Sequence, residues 1–94
     1  MSIYSVHKAC WLAHHDPGFR ERMRQDPAAA LVDFRLTDEE RKALLAGDVG
    51  TLALLGAHGY MLGLLQRHRL LGLNRDVYVE RMRPAKVRAR AATD

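Results

Sequence analysis

The chain has 94 residues with 15 Lys/Arg, 11 Asp/Glu, five histidines and one cysteine, a formal net charge of +4. That length limits it to one domain around one modest core, and a composition rich in Ala, Leu and Arg but poor in Val, Ile and Thr points to helices and away from sheets. Residues 1–80 hold ten Lys/Arg against ten Asp/Glu, so the whole positive surplus lies in residues 81–94; a neutral domain with a basic tail argues against a nucleic-acid-binding face.

The first predicted element is a short helix over residues 5–15, SVHKACWLAHH, with Val6, Ala9, Cys10 and Ala13 on its apolar side. Cys10 has no partner for an internal disulfide, which suits a reducing compartment. The N-terminus lacks a basic segment followed by a long apolar run, so no signal peptide is read and a cytoplasmic location is expected. Asp16-Pro17 closes this helix and opens a second over residues 17–25, in which Phe19 and Met23 share the inner face. Asp26-Pro27 repeats that punctuation and opens a third short helix.

Thr37 and Glu40 form a capping box, in which the threonine hydroxyl takes the N–H three residues on and the glutamate reaches back. Asp38 and Glu39 add negative charge to the same first turn. Gly47 ends this helix and Asp48 caps the next.

The stretch DVGTLALLGAHGYMLGLLQRHRLLG, residues 48–72, is compatible with one long central helix over about 49–71, closed by Gly72. It is apolar on every side, as expected of a helix central in a bundle or covered by a partner. Val49 to Leu65 is uncharged and Gly59 and Gly63 form a GxxxG, but the run is shorter than the roughly 20 residues a membrane span needs, so no membrane role is assigned. On a continuous helix Gly56, Gly59 and Gly63 would lie on one seam, where a neighbour or ligand comes close. His58 and Tyr60 are the polar groups beside that seam. Gly56, His58, Gly59, Tyr60 and Gly63 are therefore the candidate pocket or partner-contact residues. Asn74 caps a last short helix from Arg75 to about Met82, which Arg83-Pro84 should stop; residues 84–94 are expected to form a flexible basic tail.

Nothing in the spacing supports catalysis by this chain. His7 and His14 share a helix face but stand two turns apart, and no HExxH or cysteine pair occurs, so no metal site and no catalytic residue is assigned. Cys10 lies near both histidines but suits a small core position better than a nucleophile's.

The run Asp33-Phe34-x-Leu36-Thr37-x-Glu39-Glu40-x-x-Ala43-Leu44-Leu45-x-x-Asp48, leading into Leu52-x-x-x-Gly56-Ala57-His58-x-x-x-Leu62, resembles the small (alpha) subunit of LigAB-type class III extradiol ring-cleavage dioxygenases, typified by protocatechuate 4,5-dioxygenase. The resemblance spans roughly residues 26–72. It implies an all-α domain over residues 1–83: a compact array of short helices around the central one. It also implies an accessory role. The Fe(II) ligands and catalytic base would belong to a large (beta) subunit, whose active site this chain covers, and a catechol-type ring would be met through that partner. The alternative is a stand-alone helical binding module of the same fold, such as a homodimer packed through the glycine seam.

Overall fold

The structure, a computed structural model, describes the backbone of residues 2–93 and the side chains of residues 3–86. All regular structure among them is helical: α1 (Ser2–His15), α2 (Pro17–Gln25), α3 (Pro27–Ala30), α4 (Asp38–Ala46), α5 (Val49–Leu54), α6 (Gly59–Arg67) and α7 (Arg75–Thr93). Among the described residues no helix is long and apolar enough to cross a membrane.

Helix starts follow local side-chain chemistry. Asp16 accepts from the backbone N–H groups of Gly18 and Phe19 at 3.0 and 3.2 Å, and Asp26 accepts from Ala29 at 3.2 Å. The Thr37–Glu40 box closes in both directions, at 3.0 and 2.9 Å. Its burial of Glu40 is permitted because the carboxylate satisfies the Thr37 N–H. Asp48 accepts from Thr51 N–H and O–H, and Asn74 from Val77 N–H. Each bond answers a donor that the first turn leaves free.

α1 pairs most extensively with α6, and α5 with α7. The core gathers Val6, Ala9, Cys10 and Ala13 from α1 and Phe19 and Met23 from α2, the faces expected from their spacing. Leu44, Val49, Leu52, Leu62, Leu65 and Met82 close it from the other helices.

The central helix expected over about 49–71 is two helices. After α5, Gly56 adopts φ +111. Its N–H donates to Ala53 O at 3.1 Å and the N–H of Ala57 to Leu52 O at 2.9 Å, the paired bonds of a Schellman stop. The chain then turns at Ala57, and His58 caps α6. α6 in turn stops at Arg67, where the N–H of Leu70 reaches Leu65 O at 3.0 Å and Arg69 takes the left-handed conformation glycine usually supplies. The split explains the all-round apolar pattern, because two short helices bury different faces.

The glycine seam disappears with the long helix. A Cβ on Gly56 or Gly59 would meet no atom of this chain within 4 Å, and one on Gly63 would meet only the Tyr78 hydroxyl at 3.9 Å. Close packing occurs instead at buried Gly50, where a Cβ would fall on the Arg81 carbonyl of α7.

The stop expected at Arg83-Pro84 does not occur, since α7 continues through Pro84 to Thr93. Proline forfeits the bond to the carbonyl four residues back, but Met82 and Ala85 are both buried and hold the helix to the body on either side of it. From residue 87 onward the expected flexible tail lies outside the described side chains.

Candidate partner-docking face

Four of the five residues singled out in the sequence come together. Gly56, His58, Gly59 and Tyr60 sit exposed at the corner between α5 and α6. Gly63 stands a turn further along α6, half-buried on the side facing α7. The Tyr78 hydroxyl spans that side and donates to Gly59 O at 3.1 Å; burial pushes its acidity down, that is its pKa up, so it keeps its proton as a donor.

His58 holds the corner from both directions. Its Nδ1 accepts from Tyr60 N–H at 3.2 Å, which caps α6, while its own backbone N–H donates to His7 Nε2 of α1 at 2.9 Å. These two bonds require an unprotonated Nε2 on His7 and an unprotonated Nδ1 on His58.

Beside this corner, α1 contributes residues that spacing alone had not brought forward. Tyr4, His7, Lys8, Trp11 and Leu12 join Met61 of α6 around an open, mainly apolar groove of about 320 Å³. Tyr4, Trp11 and Tyr60 remain 68%, 50% and 61% exposed, and Leu54 and Leu55 lie uncovered just before the corner. The available signal was the heptad spacing of Tyr4 and Trp11 on the side of α1 opposite its alanine-lined core face. Large exposed apolar side chains grouped in this way mark a surface for another molecule.

At the other end of α6 the negative poles of two helices meet. Arg20 donates to Ala13 O and His14 O of α1, both at 2.8 Å, and Arg24 donates to His68 O beyond α6 at 3.2 Å. Cations at helix C-termini offset the dipole and satisfy spare carbonyls. His14 Nδ1 and His68 Nε2 lie 2.9 Å apart between these arginines. Desolvation first, then the charges of His15, Arg20, Arg24 and Arg67, lower the pKa of one or both rings. The same positive surroundings oppose a metal cation there.

Among the described residues no three His, Cys, Asp or Glu side chains converge as a metal would require. Burial raises the Cys10 thiol to about 12, which leaves it an inert core group.

The family model of the LigA subunit of the aromatic-ring-opening dioxygenase LigAB matches residues 7–90. The chain belongs to the LigA family. The match reaches from α1 into the far half of α7, well beyond the residues 26–72 that carried the resemblance. LigA is the small subunit of a two-component enzyme, so a large subunit is the partner that goes with this family. Comparison with curated proteins and with solved structures gives no match.

One consequence concerns the LigA chain alone. Gly59→Ala should melt at or above the parent temperature, because alanine gains up to about 1 kcal/mol in a helix and meets no neighbour at this position. Calorimetry of the isolated chain checks this; a clear drop would restore the close-packing role that the geometry removes.

Proposed function

We propose that this LigA-family chain is the non-catalytic subunit of an extradiol ring-cleaving dioxygenase, seated over the active-site mouth of its large subunit. The family match over residues 7–90 carries the reading. The exposed corner Gly56, His58, Gly59 and Tyr60, continuous with the aromatic groove of α1, supplies the docking face. Gly63 lies behind that face and supports it through Tyr78. The small residues let a partner approach the backbone of the corner, and Tyr60 and Trp11 supply the area an interface anchor needs.

The two-histidine, one-carboxylate set typical of a ring-cleaving Fe(II) does not assemble among the described residues. In this reading the large subunit holds the Fe(II) and the catechol-type substrate, and this chain contributes shape and dryness. Excluding water strengthens the electrostatics inside such a site and protects its intermediates.

The experiment is co-purification with the cognate large subunit, comparing the parent with Gly59→Leu and with Trp11→Ala/Tyr60→Ala. The Cβ position of Gly59 is open and Trp11 and Tyr60 are at least half exposed, so the isolated chain should stay folded and helical, with at most a small loss in melting temperature. Pairing should weaken by roughly 30-fold or more, the scale set by losing an aromatic anchor worth about 2 kcal/mol. Undiminished pairing and ring cleavage in every variant would move the interface elsewhere. A parent chain that forms a homodimer through this face and ignores the large subunit would favour the stand-alone binding module.

A further inference from the structure

Four of the five histidines are used in pairs, and both pairs join α1 to α6. His7 meets the residue before α6 and His14 the residue after it. The contacts run in the same order along both segments, so α1 and α6 lie parallel. On α1 the two rings stand seven residues, about 10.5 Å, apart on one side of the helix, which is the spacing that brings each to one end of α6.

We infer that these two histidine pairs are proton-released ties, which hold the ends of α6 to α1 when neutral and free them on acidification. An imidazole accepts a hydrogen bond only through an unprotonated nitrogen. Protonating His7 removes the acceptor of the His58 N–H. Protonating His58 removes the acceptor of the Tyr60 N–H and places a cation at the positive end of α6. The His14–His68 pair can bind one extra proton and keep its bond, but a second leaves no acceptor and sets two cations against each other.

The charges around the His14–His68 pair support release and not retention. His14 and His68 face His15 on α1, Arg20 and Arg24 on α2 and Arg67 on α6. No carboxylate contributes to the shift of either ring; Glu21 lies 3.8 Å from Arg24, and Asp16 after His15 caps α2. His7 shares its groove with Lys8 and Tyr4 of α1, and no acidic side chain lines that groove. For His14 and His68 the folded pKa is below the unfolded histidine value of about 6.5. The sign follows: their contribution is complete above about pH 6.5 and is lost as pH falls through the lower folded values. The apolar seam of Val6, Ala9, Cys10 and Ala13 with Leu62 and Leu65 does not titrate in this range, so the ends of α6 loosen while the helix pair stays packed. The corner His58–Tyr60 is the part set free.

The test is an NMR titration of the full chain from pH 8 to 4.5. It follows the ring nitrogens of each histidine, the amides of residues 58 and 60, and the amide of Leu65 as an internal reference. The ring nitrogens of His7 and His58 should titrate with the same midpoints as the two corner amides. Hydrogen-exchange protection at residues 58 and 60, corrected for intrinsic rate, should fall about tenfold or more relative to Leu65. In His7→Gln/His58→Asn, amide oxygens replace the two ring acceptors, and the corner amides should become insensitive to pH. Histidine rings that titrate while the corner amides of the parent do not respond would overturn the inference. So would a folded double variant with the parent's pH response. The parent titration decides by itself if that variant does not fold.

Discussion

Gly50→Val should be strongly destabilising. Gly50 is buried in α5, and any Cβ there would occupy the position of the Arg81 carbonyl. The obstacle is backbone, so it cannot rotate away as a long side chain would. α7 must shift as a body, and with it the burial of Met82 and Ala85. Overpacking of this kind costs about 1–3 kcal/mol, and valine in a helix adds a few tenths of a kcal/mol beyond alanine. At about 4–8 °C per kcal/mol for a domain of this size, the melting temperature should fall by roughly 10–20 °C. Gly50→Ala should follow in the same direction but less far, because alanine recovers about 1 kcal/mol of helix propensity relative to glycine. Thermal melts of both variants decide the matter. A Gly50→Val chain that melts within about 2 °C of the parent would mean that α5 and α7 do not approach as described.

That glycine marks where the sequence stopped being legible. Starts of helices could be read because each depends on one side chain and the next turn of backbone: Asp16, Asp26, Thr37 with Glu40, Asp48 and Asn74 all cap as their local pattern implies. The inner faces of α1 and α2 were also legible, since an apolar period is a property of one helix. Some helix ends were legible as well, with Gly47 stopping α4 and the two Asp-Pro pairs closing α1 and α2; the ends of α5, α6 and α7 were not. Gly56 fits a heptad seam and a left-handed stop equally well in one dimension, and only the bonds from Ala57 to Leu52 and Gly56 to Ala53 choose between them. At Arg69 the left-handed position carries no glycine, so no local signal existed. Pro84 reads as a stop, yet buried neighbours on both sides override it.

The candidate site divides in the same way. His58 and Tyr60 stood out as polar groups in an apolar run, and they do lie together at an exposed corner. The aromatic groove on α1 did not stand out, because exposure of Tyr4 and Trp11 depends on how α6 lies beside α1. The His7–His58 and His14–His68 contacts span 51 and 54 residues of sequence, and no pattern within one helix reports such pairs.

Arginines that bond carbonyls at helix ends are a second such case, and Arg81 offers the sharpest test. By composition it belongs to the basic surplus of the C-terminal segment. In the fold its Nη1 donates to Ala46 O at 3.0 Å and Gly47 O at 2.9 Å, the carbonyls at the end of α4. Arg41 acts similarly on Leu31 O and Phe34 O before α4, and Arg20 on the end of α1. Arg81→Met keeps an apolar stem but removes the charge-assisted bonds to two carbonyls, so the expected loss is about 1.5–3 kcal/mol. Arg81→Lys keeps a cation near the negative end of α4, which is worth about 0.3–1 kcal/mol, but both bonds come from the single Nη1 and the lysine ammonium ends one bond short of that position. It should therefore fall between the parent and Arg81→Met. A residue acting only as surface charge would make the lysine variant silent and the methionine effect disappear in high salt. Bonds to neutral carbonyls predict a methionine effect that persists in salt. Urea unfolding of the three chains at low and high ionic strength separates these outcomes, and an Arg81→Met chain within about 0.5 kcal/mol of the parent would show that the end of α4 does not depend on this contact.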